Sequence, residues 1–353
     1  MKRIYLDYAS LTPIDNGVLK VMKKYSKGEY SNPSSLYASG VNAKRAIDEA
    51  KERISKIIHS HPDEIIFTSG GTESNHLILR KFEGKRVIIS AIEHSSIIKD
   101  INAVHIPVNS AGLIDLEFLK ESLTVDTTLV SVMLVNNEIG SIEPIHEVVK
   151  IVRDFNKKNN TNILVHTDAC QAAVHLPLYV EKLGVDLMTL DGAKMYGPRG
   201  IGMLYVKRGS IDITRAGTEN VPAIMGFAYA FELIDRKREK ETIRIAELKA
   251  NFINELQKIN PEITVNGGLD NVSPHILNIS IPNIDNEFFL FQLDAKGIEV
   301  STKSACLRDE DESYVLKAIG GNSRSSIRFS LGNKTNNEDL KKILNIILRI
   351  LKR

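Results

Sequence analysis

The chain has 353 residues, 42% of them hydrophobic and 25% charged, with a formal net charge of +2. That length allows one large domain and a smaller one, at roughly 100–200 residues each, and the near-neutral charge gives no case for direct nucleic-acid binding or for a membrane partner. Two cysteines, Cys170 and Cys306, are too few for a disulfide framework or a four-cysteine zinc site, so each is either an inert core residue or a reactive thiol.

No apolar run approaches the ~20 residues that span a bilayer, and Asp7 follows the N-terminus too early for a secretory signal, which points to the cytoplasm. Residues 1–40 read as mostly irregular, with a turn at 31–35. Apolar positions at helical spacing predict a helix over 42–58. A strand at 64–68 runs into Ser69-Gly70-Gly71-Thr72-Glu73-Ser74-Asn75, where a helix begins. Strand, glycine pair, helix is a layout in which backbone N–H groups and the helix dipole receive a phosphate. A plain capped helix start is the alternative, since Thr72 suits an N-cap.

Strands follow at 86–90 and 104–108, with Glu93 and His94 at the strand-to-helix turn between them. The continuous apolar run 129–135 reads as a strand covered on both faces and ends at Asn136-Asn137-Glu138. A helix over 145–156 and a strand over 162–168 lead to Asp168-Ala169-Cys170-Gln171. Two further strands, 185–190 and 203–206, enclose a glycine-punctuated loop that holds Lys194. Alternating strands and helices predict an α/β fold with a large, mostly parallel sheet, and ligands in such sheets bind at the carboxyl ends of strands. Asn137, Asp168, Gln171 and Lys194 all sit at such ends.

A long charged helix over 227–258 reads as a connector. Beyond it a strand at 276–281, a helix at 287–293, a polar loop carrying Cys306, a strand at 325–330 and a basic amphipathic helix at 337–353 form a small α+β domain. The expected division is a large cofactor domain over 13–245 and a small domain from 1–12 and 246–353 that carries the cysteine loop. His59 and His61 have no further ligands near them in sequence, so no metal site is expected.

Pyridoxal phosphate chemistry needs a lysine for the aldehyde, an aspartate for the ring nitrogen, donors for the phosphate and a flat side chain over the ring. Lys194, Asp168, Gly71 with Thr72, and His94 are of the right types for those four roles. The segments 5–8, 32–35, 67–74, 93–94, 135–140, 166–171, 194–198, 215–220, 304–306 and 325–332, in that order, resemble the cysteine desulfurases of the class V aminotransferase group.

The resemblance implies a fold-type I pyridoxal phosphate transferase that converts L-cysteine to L-alanine. Lys194 would hold the cofactor and move protons. His94 would stack on the ring and assist proton transfer. Asp168 would pair with the ring nitrogen, and Gln171 would bond the ring oxygen. Gly71 and Thr72 would take the phosphate, with Thr218 arriving from the partner of a homodimer. Asn32, Asn137 and Arg328 would bind the substrate carboxylate. Cys306 would carry the sulfur as a persulfide to an acceptor protein, an iron–sulfur scaffold or a tRNA-thiolation protein. Cys170 reads as a small buried residue.

Other readings are a selenocysteine lyase, a small-substrate aminotransferase, or a catalytically weak scaffold for sulfur-transfer partners. Asp191 and Ala193, where the family places a serine and a histidine at the phosphate, depart from the pattern, as do Lys303 and the short 207–214 segment. Asp191 is expected to face away from a phosphate, or to be compensated by a nearby backbone group or arginine.

Overall fold

The computed structural model describes residues 3–28, 30–303 and 312–352, so Cys306 lies outside the described residues. Strand β1 (Ile4–Tyr5) leads to helices α1 (Asn16–Lys27) and α2 (Ala38–Ile58). Next come β2 (Ile65–Thr68), α3 (Gly71–Leu79), β3 (Arg86–Ser90), α4 (Ser95–Ile98), β4 (Val104–Ile106) and α5 (Leu116–Ser122). They are followed by β5 (Thr127–Ser131), α6 (Ile145–Asn159), β6 (Leu164–Asp168), α7 (Val180–Leu183), β7 (Leu187–Asp191) and β8 (Gly202–Val206). The 39-residue α8 (Val221–Ile259) then leads into β9 (Thr264–Val265), β10 (Ile276–Ser280), α9 (Asn286–Asp294), β11 (Ile298–Glu299), α10 (Tyr314–Ala318), β12 (Ser326–Ser330) and α11 (Asn337–Leu351).

The large sheet has seven strands in the order β2-β8-β7-β6-β5-β3-β4. The five strands from β4 to β7 are parallel; β8 runs antiparallel to both β7 and β2. The inner strands are buried on both faces, which is why they read as near-continuous apolar runs. Among their buried polar residues, His166 in β6 is satisfied across the sheet by Ser131 Oγ at 2.8 Å and Thr189 Oγ1 at 3.1 Å. Burial lowers its pKa to about 4, so the ring is neutral. Because β2 and β7 both run against β8, their carboxyl ends lie at one edge, with Thr68 and Asp191 both paired to Gly202. This register brings the start of α3 beside the lysine loop.

Helix α8 serves two cores. Its first half buries Phe227, Phe231 and Ile234 in the cluster that contains the sheet's interior. Its second half buries Ile245, Leu248, Phe252 and Leu256 against Leu277, Phe329, Ile343 and Ile347. That second cluster is capped by the antiparallel sheet β12-β10-β9, and β1 pairs in parallel with β11 beside it.

Several sequence expectations shift. Helix α1 forms inside the stretch expected to be irregular: Asp15 caps it by accepting the Gly17 N–H at 2.6 Å, and Val18 and Tyr25 face inward. Helix α8 starts at Val221 because Asn220 accepts the Ala223 N–H and Pro222 suits the first turn. The expected strand 129–135 ends at Ser131, although Val132 and Leu134 still donate to the carbonyls of His166 and Asp168. Thr72 is not the N-cap of α3; Gly70 is, with no side-chain hydrogen bond of its own.

Candidate active site

A pocket of about 210 Å³ opens where the carboxyl ends of the sheet strands meet the Arg328-bearing strand β12. Gly71, Thr72, His94, Asn137, Asp168, Gln171, Lys194 and Arg328 all line it. Asn32 and Thr218 do not. Both are exposed, and Asn32 Oδ1 is engaged in its own turn with the Ser34 N–H at 2.9 Å.

Asp168, the last residue of β6, is held at both carboxylate oxygens. The Cys170 amide donates to Oδ1 at 3.0 Å and Asn75 Nδ2 donates to Oδ2 at 2.9 Å. Asn75, on α3, also donates to Ser96 Oγ at 2.9 Å. The Ser96 hydroxyl lies 2.8 Å from His94 Nδ1, and the Ser96 amide donates to the same nitrogen at 3.2 Å. A nitrogen that accepts an amide N–H carries no proton, so the neutral His94 ring holds its proton on Nε2. One chain of hydrogen bonds therefore joins His94 to Asp168. Sequence reasoning missed Asn75 as a contact, although it falls in the glycine-pair motif.

Lys194 sits in a single 3₁₀ turn after β7. Its ammonium donates to the carbonyl of Ala9 at 3.2 Å and to that of Ser10. Thr12 Oγ1 donates to the Ala193 carbonyl and accepts the Tyr196 N–H at 2.7 Å, which pins the loop on both sides of the lysine. Gln171 Nε2 reaches the same N-terminal segment at Ala9 O, 2.8 Å away. Gln171 Oε1 is 3.3 Å from His275 Nε2. His275 is buried and neutral, its pKa pushed well below the usual value first by burial and then by the neighbouring His175. Its Nδ1 meets Ser273 Oγ at 2.7 Å. Ala9, Ser10 and His275 left no sequence signal, because their contribution is backbone carbonyls and a contact made over a hundred residues away in sequence.

Arg328 is buried and makes an ion pair with Asp7 at 2.7 Å while donating to the Asn137 carbonyl at 2.8 Å. Its Nε is buried without a hydrogen-bond partner among the described residues. Arg328 and Asn137 both line the cleft, and a guanidinium there suits a carboxylate. Cys170 stays a thiol: burial, then the charges of Asp168 and Asp191, raise its pKa well above the ordinary value.

Of the two expectations for Asp191, turning away or compensation by a nearby backbone group, the structure shows the second. Its Oδ2 accepts the Gly71 N–H at 3.0 Å and its Oδ1 the Ala193 N–H at 2.8 Å, and the residue lines the pocket. The glycine before Gly71 helps this approach: a Cβ on Gly70 would come within 3.3 Å of Asp191 Oδ2.

The lysine, the held aspartate, the histidine with a defined tautomer and the orphaned arginine donor fit pyridoxal phosphate and an amino-acid carboxylate at the ring and aldehyde ends. The helix terminus that would take the phosphate carries the Asp191 carboxylate. A mostly parallel α/β sheet with these groups around one strand-end cleft is the build of an enzyme that transfers groups on small polar substrates.

The chain belongs to the aminotransferase class-V family, whose sequence pattern matches residues 4–214 and 210–343. Pyridoxal phosphate is the general cofactor of that family. The chain is 39% identical to the cysteine desulfurase IscS of Dictyoglomus turgidum over 383 residues, covering 100% of this chain and 96% of the relative. It is 34% identical to the cysteine desulfurase IscS 1 of Archaeoglobus fulgidus, covering 99% and 97%. Among solved structures, a NifS-like protein superposes with a TM-score of 0.90 at 31% identity over 99% of each chain. SspA in complex with cysteine superposes at 0.79 and 29% identity, over 93% of this chain and 98% of that one.

Proposed function

We propose that this chain is a pyridoxal phosphate-dependent cysteine desulfurase. The overall balance is L-cysteine plus the Cys306 thiol giving L-alanine plus a Cys306 persulfide. The observation that carries the reading is the convergence of Lys194, Asp168, His94 and Arg328 on one cleft. The similarity to cysteine desulfurases over the full chain, and to a structure holding cysteine, supports the substrate.

Bound in this cleft, pyridoxal phosphate would supply an electron sink for the substrate α-carbon. Lys194 holds the cofactor's aldehyde carbon and moves the proton at the α-carbon. Asp168, fixed by Asn75 and the Cys170 amide, pairs with the ring nitrogen. His94 covers the ring, and Gln171 offers its remaining amide hydrogen to the ring oxygen. Gly71 and Thr72 would take the phosphate. Asn137 and Arg328 orient the substrate carboxylate, with Asn32 assisting once substrate is bound. Thr218, exposed in one protomer, reaches the phosphate of its partner in a homodimer. Residues 13–245 form the cofactor domain, and residues 1–12 with 246–353 form the small domain that carries Cys306. The protein acts in the cytoplasm, where an iron–sulfur scaffold or a tRNA-thiolation protein takes the sulfur.

The test is direct. The purified protein is yellow, absorbing near ~420 nm; borohydride bleaches it and labels Lys194; L-cysteine with a reductant yields sulfide, and Cys306→Ala abolishes that yield. Yellow protein that still releases sulfide as Cys306→Ala points to a selenocysteine lyase or an aminotransferase. Asp191 on the Gly71 amide favours a second reading, a catalytically weak scaffold. Protein that stays colourless with added cofactor would establish it.

A further inference from the structure

A helix that opens on glycine needs something to satisfy its first amides. In α3 neither Gly70 nor Gly71 has a side chain, and Gly70 makes no side-chain cap. The acceptor comes instead from the far side of the sheet's antiparallel corner. Asp191, in register with Thr68 through Gly202, places one carboxylate oxygen on the Gly71 N–H and the other on the Ala193 N–H. Ala193 offers no side-chain donor. Among the described residues no lysine or arginine pairs with Asp191: the ammonium of Lys194 is held by the carbonyls of Ala9 and Ser10, and Arg215 is tied to Glu73. The Gly71 and Ala193 amides at this end of the pocket are therefore engaged by a resident carboxylate, and a second anion at the same helix terminus meets it at close range.

We propose that Asp191 is a built-in anion at the phosphate end of the pocket, which holds the start of α3 in the cofactor-free protein and has to leave the Gly71 amide when a phosphate monoester enters. The inference rests on the pyridoxal phosphate reading above and goes beyond it. It makes residue 191 the determinant of how strongly the pocket prefers the phosphorylated cofactor over pyridoxal, which has the same ring and aldehyde but no phosphate. Replacement of Asp191 by a neutral residue has opposite effects on two measurable properties: phosphate-dependent affinity rises and the stability of the cofactor-free protein falls.

The experiment titrates cofactor-free wild type, Asp191→Asn and Asp191→Ser with pyridoxal phosphate and, separately, with pyridoxal, and records thermal melting without ligand. Asp191→Asn keeps the side-chain shape and an acceptor for the Gly71 N–H, so a folding defect in the serine variant does not decide the outcome. The expected result is pyridoxal phosphate binding at least about tenfold tighter in both variants, pyridoxal binding unchanged within about twofold, and a lower melting temperature for the cofactor-free serine variant. Inorganic phosphate alone raises the melting temperature of the cofactor-free variants at lower concentration than that of wild type. Pyridoxal phosphate affinity that stays the same or weakens in the variants, or pyridoxal affinity that rises in parallel, overturns the inference and leaves the cofactor reading intact. If none of the three proteins takes up either aldehyde, the cofactor reading fails and the inference fails with it.

Discussion

Asn75 shows how one side chain sets the geometry of several others. Its amide donates to Asp168 and to Ser96, and Ser96 in turn meets His94. A hydrogen bond to a charged acceptor contributes about 1.5–3 kcal/mol, so Asn75→Ala is expected to weaken cofactor binding by roughly tenfold or more. Ser96→Ala leaves the Asn75–Asp168 bond in place and is expected to stay within about threefold. Equilibrium titration of the two variants checks this; equal effects would mean that Asp168 is held by the Cys170 amide alone. Residues of this kind separate what the sequence discloses from what it hides. Asp168 and Lys194 are legible because each ends an apolar run where α/β sheets place ligand groups. Asn75 acts across 93 residues of sequence on Asp168 and across 21 on Ser96, through polar contacts that carry no periodicity. For Asp191 the sequence left two outcomes open, turning away or backbone compensation, and only the pairing of β2 and β7 on Gly202 decides, by bringing the Gly71 and Ala193 amides to its carboxylate.

At the scale of elements, the close packing of β8 against the start of α3 carries its own expectation. A Cβ on Gly202 would lie 2.7 Å from Gly70 Cα, Gly70 C and Leu190 O, all backbone atoms with nowhere to move. A Cβ on Gly226 of α8 would meet Met22 Cγ and Pro198 Cγ at 2.8 Å, the former on a flexible side chain that can yield, and alanine there gains about 1 kcal/mol of helix propensity. Gly202→Ala is therefore expected to cost about 2–3 kcal/mol and to weaken cofactor uptake, while Gly226→Ala stays within about 1 kcal/mol. Paired melting curves with cofactor titration test the ranking, and an equal cost for both would show that the strand can shift. The inner strands were readable because burial on two faces forces long apolar runs. The antiparallel turn from β7 to β8 is a matter of length: the connection 192–201 is too short for the crossover that a parallel neighbour needs. Helix α1 has an Asp15 cap and apolar positions at helical spacing, but the glycine in its first turn and the irregular flanks mask it in the sequence; packing on α8 buries its inner face.

For the whole molecule, the buried ionisable groups set how stability depends on pH. His166 and His175 titrate near about 4, lowered mainly by burial, and burial pushes His275 well below the ordinary histidine value too. An unfolded histidine titrates near about 6.5. Their contribution is thus intact above pH 6.5 and is lost as pH falls towards 4, because the unfolded chain takes up protons that the folded one refuses. Glu143 works in the other direction. Burial raises its carboxyl to about 8, against the opposing pull of the Ile114 amide. Its folded pKa lies above the unfolded one, so its contribution is complete below about pH 4.5 and is lost as pH rises to 8. Fully buried Glu93, raised well above the ordinary value by burial and then by Asp168, adds to the same limb. The two limbs cross near pH 6, where stability is expected to peak. Glu143→Gln keeps the shape and removes the titration. Relative to wild type, its melting temperature should gain with each pH step from 5 to 8 and level off above 8. The gain corresponds to at most about 1.4 kcal/mol per pH unit. A melting-temperature difference that stays flat across that range would mean that Glu143 is ionised in the folded protein, with water or a cation reaching it beneath the loop that leads to Asn137.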